Sequence, residues 1–291
     1  MSEAESLPPL PAIEPAQAVD VIIGFIRAQM EQTGFRRIVL GLSGGIDSAT
    51  VAFLCARAVR PENLLAVRMP YRTSSDASET DALRVVDALG CRSERVDITP
   101  MAEPMLSLIS DPEQPAGGDE LNVRRGNVMA RQRMIVIYDR SAAFDALVAG
   151  TSNKTEALLG YGTLHGDMAA AFAPIGDLYK TQLRSVAAEL GVPREILDKP
   201  PSADLWPGQT DEAELGRSYL LLDRTLFALV DRRWTVDRCV AAGLERELVE
   251  WVALRVARME FKRQQPPVAK VSLRTPGIDH LYPRRRPGSR R

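Results

Sequence analysis

The sequence predicts an α/β fold, a doubly wound parallel sheet with a helical C-terminal half. Three observations predict it. Short apolar runs of strand length alternate with amphipathic segments of helical length as far as Gly150. The apolar runs end in polar, glycine- or proline-bearing turns, as strands do where they feed helices. Beyond Gly150 helical periodicity takes over. Strands joined through helices cross over right-handed, so the first half forms a parallel sheet with helices on both faces.

The elements follow in order. Residues 14–33 set Ala18, Val19, Ile22, Ile23, Phe25, Ile26 and Met30 on an amphipathic helix that stops before Gly34. A buried strand at 36–42 and a helix at 45–59 come next. Leu64 to Met69 read as a second strand ended by Pro70, and Ser74, Ser75 and Asp76 are N-cap candidates for a helix reaching Gly90. A third strand covers Ser93 to Ile98. Asp111 to Gly118 is a breaker-rich loop, followed by a long helix at 120–140 and a strand from Ala146 to Gly150. Helices at 178–190, 211–231, 235–241 and 244–263 complete one domain, residues 1–265. Residues 266–291 form a tail whose Arg284, Arg285, Arg286, Arg290 and Arg291 read as a solvated basic extension or a contact for acidic partners.

Composition narrows the function. In 291 residues, 37 Lys plus Arg balance 38 Asp plus Glu, so no global field draws the chain to nucleic acid or anionic membrane. Cys55, Cys91 and Cys239 are dispersed and form no C-x-x-C pair, which argues against a disulfide framework or zinc site. The N-terminus, with Glu3, Glu5, Pro8, Pro9 and Pro11, lacks a basic region and an apolar core of the secretory kind, and no run approaches a membrane span. A cytoplasmic location is the expectation.

The stretch Ser43-Gly44-Gly45-Ile46-Asp47-Ser48 carries the chemistry. It follows the strand Ile38-Val39-Leu40-Gly41-Leu42 and opens a helix, so backbone N–H groups and a helix N-terminus converge on one small volume. That volume suits phosphate. Asp47 adds a carboxylate to an anion site, which makes sense where Mg²⁺ bridges it to phosphates. The loop is not a Walker A motif, because the closing Lys-Ser or Lys-Thr is missing. It resembles the Ser-Gly-Gly-x-Asp-Ser signature of the N-type ATP pyrophosphatases, which split ATP between its α and β phosphates. A plain strand-turn-helix junction is the structural alternative. Arg68, at the end of the next strand, is placed to reach adenine or phosphate, or is a solvated strand-end arginine.

A second polar cluster, Thr151-Ser152-Asn153-Lys154-Thr155-Glu156, follows the Ala146 strand. Glu156 offers Mg²⁺ a second carboxylate opposite Asp47, or is a capping or surface acid. In Pro174 to Thr181, Asp177 reads as an N-cap and Lys180 lies in the first helical turn, an unfavourable place for a cation unless an anion sits nearby. Lys199-Pro200-Pro201-Ser202 is a proline-stiffened loop presenting Ser202.

In chain order, Ser43 to Ser48, Gly126 to Met134, Gly150-Thr151 with Lys154 and Glu156, Gly166-Asp167, Pro174 to Thr181 and Pro201 to Leu205 together resemble the NAD⁺ synthetase family, of the adenine nucleotide alpha-hydrolase-like fold. The Asp211 to Gly216 segment and Lys262-Arg263 extend the likeness. The first loop alone leaves GMP synthetase, asparagine synthetase and tRNA-thiolating enzymes open. The resemblance implies that Ser43, Gly44, Gly45, Ile46, Asp47 and Ser48 hold ATP, joined by Arg68, Thr151, Lys180 and Ser202. It implies Mg²⁺ on Asp47 and Glu156, and deamido-NAD⁺ against Asn127, Arg131, His165 and Lys262. Asp47, Lys180 and Asp167 then carry catalysis, with Asp167 as a base toward ammonium.

The implied reaction amidates deamido-NAD⁺ with ammonia, through an acyl adenylate, to give NAD⁺, AMP and pyrophosphate. Only about 35 residues precede the first strand, too few for an amidohydrolase domain, so free ammonia or a separate donor is expected. The family also implies a homodimer with helix 120–140 at its interface. The chain departs from the family pattern at Leu164 and Ala171, where a lysine and an aspartate usually stand. Either other residues, with His165 as a candidate, grip the nicotinate end, or the substrate differs. The rival readings are another ATP pyrophosphatase, such as a tRNA-modifying enzyme, and a non-catalytic nucleotide-binding relative.

Overall fold

Ile38, Val39 and Leu40 are all fully buried, yet they belong to two different cores, because successive strand side chains point to opposite faces. That alternation builds the layers. In the computed structural model, which describes residues 7–109, 119–202, 210–276 and 278–279, helix α1 (Pro15–Thr33) precedes β1 (Arg37–Gly41) and α2 (Ile46–Ala58). β2 (Leu64–Arg68), α3 (Asp76–Leu89), β3 (Arg92–Arg95), α4 (Thr99–Leu106), α5 (Asp119–Phe144) and β4 (Ala146–Val148) complete the sheet half. The second half holds α6 (Lys154–Leu159), α7 (Lys180–Leu190), α8 (Arg194–Leu197), α9 (Asp211–Leu215), α10 (Tyr219–Leu226), α11 (Val236–Ala241) and α12 (Arg246–Arg258).

The strand order is β3-β2-β1-β4, every neighbouring pair parallel. Helices α1, α2 and α7 cover the face of Ile38 and Leu40, while α4 and α5 cover the face of Val39, Val67 and Val148. The expected doubly wound sheet is therefore what forms. From β1 the chain first winds one way, to β2 and β3, and β4 lies on the opposite side of β1. The switch point, where open α/β sheets bind ligands, falls between β1 and β4. A third apolar cluster, including Leu159, Leu222, Leu226, Val249 and Val252, joins α6, α10 and α12 beside it.

Several elements differ from expectation for identifiable reasons. The third strand ends at Arg95, but Val96 and Ile98 still donate to the carbonyls of Arg68 and Pro70, so the pairing runs on as predicted. The helix expected over 211–231 breaks at Gly216, whose φ of 66° caps α9, and restarts at Tyr219. Asp177 does not cap α7. Tyr179 holds that position, and Asp177 pairs with Lys154 instead. Short helices α4, α6 and α8 carry too few turns to show a period. The Asp111 loop, the Arg284 to Arg291 tail, and Asp204 and Leu205 lie outside the described residues. No helix of the described residues is long and apolar enough to cross a membrane, and all three cysteines are free and buried.

The layering has a measurable consequence. Leu40→Ala, at a position with 0% exposure, should lower unfolding free energy by about 2–5 kcal/mol. Val21→Ala, at 71% exposure, should stay within about 0.5 kcal/mol. Urea denaturation distinguishes them, and equal midpoints would contradict the assigned core.

Candidate functional site

The loop after β1 is shaped by its glycines. Gly44 has a φ of 80°, and a Cβ there would lie 2.2 Å from the Ser78 carbonyl oxygen of α3, so only glycine fits. Ser43 and Ser48 close the turn: the Ser43 N–H donates to Ser48 Oγ at 3.2 Å, and Ser48 Oγ–H donates to the Gly45 carbonyl at 3.1 Å. Gly45 N–H lies 3.3 Å from Ser43 Oγ. Asp47 then enters α2 in its first turn, where a carboxylate is favoured by the helix dipole.

Across the switch point, Asn153 caps α6 by accepting from the Glu156 N–H at 3.0 Å, while Glu156 Oε2 accepts from the Asn153 N–H at 3.2 Å. Asn153 Nδ2 also donates to Asp47 Oδ1 at 2.8 Å, tying the two loops together. Lys180, the first residue of α7, sends its ammonium between the acids. Nζ lies 2.5 Å from Asp47 Oδ2 and 3.2 Å from Glu156 Oε1, and 5.3 Å from the centre of the Tyr219 ring.

Charge is unevenly matched here. Burial pushes the Glu156 carboxyl up to about 8 against the pull of Lys180. Burial also opposes the Lys180 charge, but Asp47 and Glu156 outweigh it and raise the group above the ordinary lysine range. Asp211, buried and accepting from Tyr219 and Tyr161 hydroxyls at 3.0 and 3.1 Å, is raised by the same burial. One ammonium thus faces several acids.

These groups line one cleft of about 1080 Å³, above the roughly 300–1,000 Å³ of an ordinary ligand pocket. Ser43, Gly45, Ile46, Asp47, Ser48, Thr151 and Ser202 line it, while Gly44, packed against Ser78 of α3, does not. Asn127, Asp167 and Lys262 line the cleft as well. There Thr163 ties α5 to the 163–167 turn, its hydroxyl donating to Asn127 Oδ1 at 2.7 Å and its N–H to Asp167 Oδ1 at 2.8 Å. Asp167 keeps exposed surface, yet protein crowding raises its carboxyl above the usual range. Lys262 donates to the Gly160 and Gly162 carbonyls at 2.8 and 2.7 Å.

Besides Gly44, three expected residues stand elsewhere. Arg68 is held by Glu79 and by Ser93 Oγ at 3.0 Å and does not line the cleft. Arg131 is exposed, with both Nε and Nη2 within 3.4 Å of the Leu164 carbonyl. His165 sits exposed at φ 60° on the outside of its turn. None of Arg131, His165, Leu164 or Ala171 lines the cleft, and Ala171 packs against the α1–α2–α7 core. Sequence reading had missed Arg133. Two residues on from Arg131, it turns inward because α5 advances about 100° per residue, and its Nε donates to the Met69 carbonyl at 3.0 Å on the cleft wall. Asn153 was missed too, although its spacing to Glu156 is a capping-box signal.

Comparison with known proteins now decides the family, since the NAD synthase family profile matches residues 18–266. The chain belongs to the NAD synthase family. Among curated relatives in the family, the NH(3)-dependent NAD(+) synthetase of Chlorobium phaeobacteroides strain BS1 is 51% identical over 265 residues, 91% of this chain and 93% of that protein. The one from Trichlorobacter lovleyi is 49% identical over 264 residues, 91% of this chain and 94% of that protein. Among solved structures, the NH3-dependent NAD synthetase from Campylobacter jejuni has a TM-score of 0.73 at 32% identity, covering 89% of this chain and 100% of its own. An NMN synthetase from Francisella tularensis gives 0.74 at 29% identity, covering 88% and 99%.

For this family member, Gly44→Ala should displace α3 from the loop and cost about 1–3 kcal/mol of stability. Calorimetric ATP titration of the folded variant should show weakened binding. Unchanged stability and affinity would contradict the loop geometry.

Proposed function

We propose that the chain catalyses ATP-dependent amidation of deamido-NAD⁺ with ammonia, releasing NAD⁺, AMP and pyrophosphate. The observation that carries this reading is the Lys180 ammonium set between Asp47 and Glu156 at the switch point of an NAD synthase-family sheet. In this reading, the nicotinate carboxylate attacks the α-phosphorus of ATP and pyrophosphate leaves. Ammonia then attacks the acyl carbon, AMP departs with the bonding electrons, and a proton is lost from nitrogen. Asp167 is the proposed acceptor of that proton, because its raised carboxyl is a better base than an ordinary one.

The residues supply position and charge rather than a covalent nucleophile. The Ser43 to Ser48 loop and Thr151 hold the ATP phosphates, Lys180 balances charge on the departing pyrophosphate, and Ser202 contacts ATP from the edge. Asn127 and Lys262 shape the deamido-NAD⁺ wall, to which Arg133 adds a cation. Asp47 and Glu156 fit Mg²⁺, which favours one or two carboxylates with phosphate oxygens and water. Bound there, Mg²⁺ would neutralise developing phosphate charge. A homodimer is proposed on the apolar residues that α5 exposes, Val123, Ile135 and Tyr138.

Pyrophosphate release with ATP and Mg²⁺, with and without deamido-NAD⁺ and ammonia, tests the reading. Release should require both co-substrates. Release indifferent to deamido-NAD⁺ would overturn it in favour of another ATP pyrophosphatase, and no release would favour a binding protein. Because an NMN synthetase shares the fold, the assay is repeated with nicotinate mononucleotide, and a preference for it would reassign the acceptor. Lys180→Ala should lower release about 10²–10³-fold with the fold intact. Arg133→Ala should raise the KM for deamido-NAD⁺ about tenfold, as loss of one charged hydrogen bond does. Arg131→Ala should change it little, and the reverse ranking would show that the cleft wall is misassigned.

A further inference from the structure

Asp223, on α10, is a fully buried carboxylate with no part in the chemistry above. Its hydrogen-bond donors among the described residues all belong to the starts of two other helices. Thr155 Oγ1 donates to Oδ1 at 2.6 Å, and the Thr181 N–H and hydroxyl donate to Oδ2 at 2.9 and 2.7 Å. The Thr155 hydroxyl has a lone pair left, and it accepts the Lys180 N–H at 3.0 Å. Thr155 adjoins Glu156, and Thr181 adjoins Lys180. One carboxylate therefore fixes the first turn of α6 against the first turn of α7, and the side chains next to those anchors are the two that meet at 3.2 Å in the cleft.

A leucine would fill a similar volume without desolvating a charge, and buried polar sites are often matched in stability by such replacements. What the carboxylate adds is direction, one oxygen to each helix. It also satisfies orphan N-terminal N–H groups, directly at Thr181 and through Thr155 at Lys180. Burial raises the Asp223 carboxyl above the ordinary range, and the three donors offset part of that push.

We infer that Asp223 is the positioning residue that sets Lys180 against Glu156 in the ATP site. The inference rests on the proposed function for its kinetic readout, but not for its binding readout. The experiment is a double-mutant cycle of Asp223→Ala and Lys180→Ala, read by kcat for pyrophosphate release and by calorimetric affinity for ATP in Mg²⁺, well below each variant's Tm. Asp223→Ala alone should lower kcat about 100-fold, the scale of an ångström-sized misplacement, and weaken ATP binding about tenfold, the worth of one charged contact. In the Lys180→Ala background it should add almost nothing to either loss, because the group it positions is gone. Asp223→Asn, which keeps an acceptor toward Thr181, should recover most of the loss.

A merely structural Asp223 would lower Tm and multiply its kinetic effect equally in both backgrounds, and that additivity would overturn the inference. So would wild-type kcat and ATP affinity in Asp223→Ala. If that variant does not fold, Thr155→Val removes the same link with an isosteric side chain and enters the cycle in its place. A wild-type protein that binds ATP but releases no pyrophosphate would defeat the proposed reaction alone, and the ATP affinities of the same variants would still decide the role of Asp223.

Discussion

The ammonium of Lys180 is the constraint around which the molecule is arranged. It joins Asp47, 133 positions earlier, to Glu156, 24 positions earlier, and only a parallel sheet with both loops at one end brings the three together. Such a cluster is a poor way to gain stability. Each charge taken out of water costs several kcal/mol, and two acids facing one base leave part of that penalty uncompensated. Under the proposed function, an incoming polyphosphate and its cation would meet that imbalance.

Helix α6 shows how much scaffolding that imbalance requires. Its six residues are too few for a helix stable by itself. At its start, Asn153 and Glu156 form a reciprocal cap. At its end the exposed carbonyls are taken by basic side chains of the C-terminal region: Arg263 Nη1 reaches Ala157 and Leu158 at 3.0 and 2.8 Å, and Arg255 Nε reaches Leu159 at 2.8 Å. Lys262 continues the pattern at Gly160. Cations at a helix C-terminus both satisfy orphan acceptors and complement the dipole. The helical half of the chain thus holds the short element that carries Glu156.

Much of this was legible in sequence because its causes are local. The Ser43 to Ser48 loop could be read from a buried strand, two glycines and a helix start, and Lys180 from its misfit with the helix dipole. What escaped depended on rotation or on distant partners. Arg131 and Arg133 are equivalent in composition, and only the angle of α5 against the sheet decides that Arg133 enters the cleft. Arg68 sits at a strand end as expected, but Glu79, eleven positions on in the next helix, claims its guanidinium. The Asp177 cap failed because α7 starts three residues later, at Lys180, where Tyr179 takes the N-cap position.

The two walls of the cleft follow different rules. The side proposed for the phosphates is a web of direct side-chain contacts, Asn153 to Asp47, Lys180 to Asp47 and Lys180 to Glu156, with a glycine that admits no Cβ. On the other side most contacts run from side chains to backbone. Lys262 holds the carbonyls of Gly160 and Gly162, Asp167 holds the Thr163 N–H, and Asn127 receives the Thr163 hydroxyl. Neither Leu164 nor Ala171 lines the cleft, and Ala171 donates its N–H to the Val148 carbonyl at 3.0 Å beside the sheet. Arg133, Asp167, Arg255 and Lys262 all bring charge to the cleft, so in the proposed reading recognition of the acceptor depends on the shape of the 160–167 turn as much as on any ion pair.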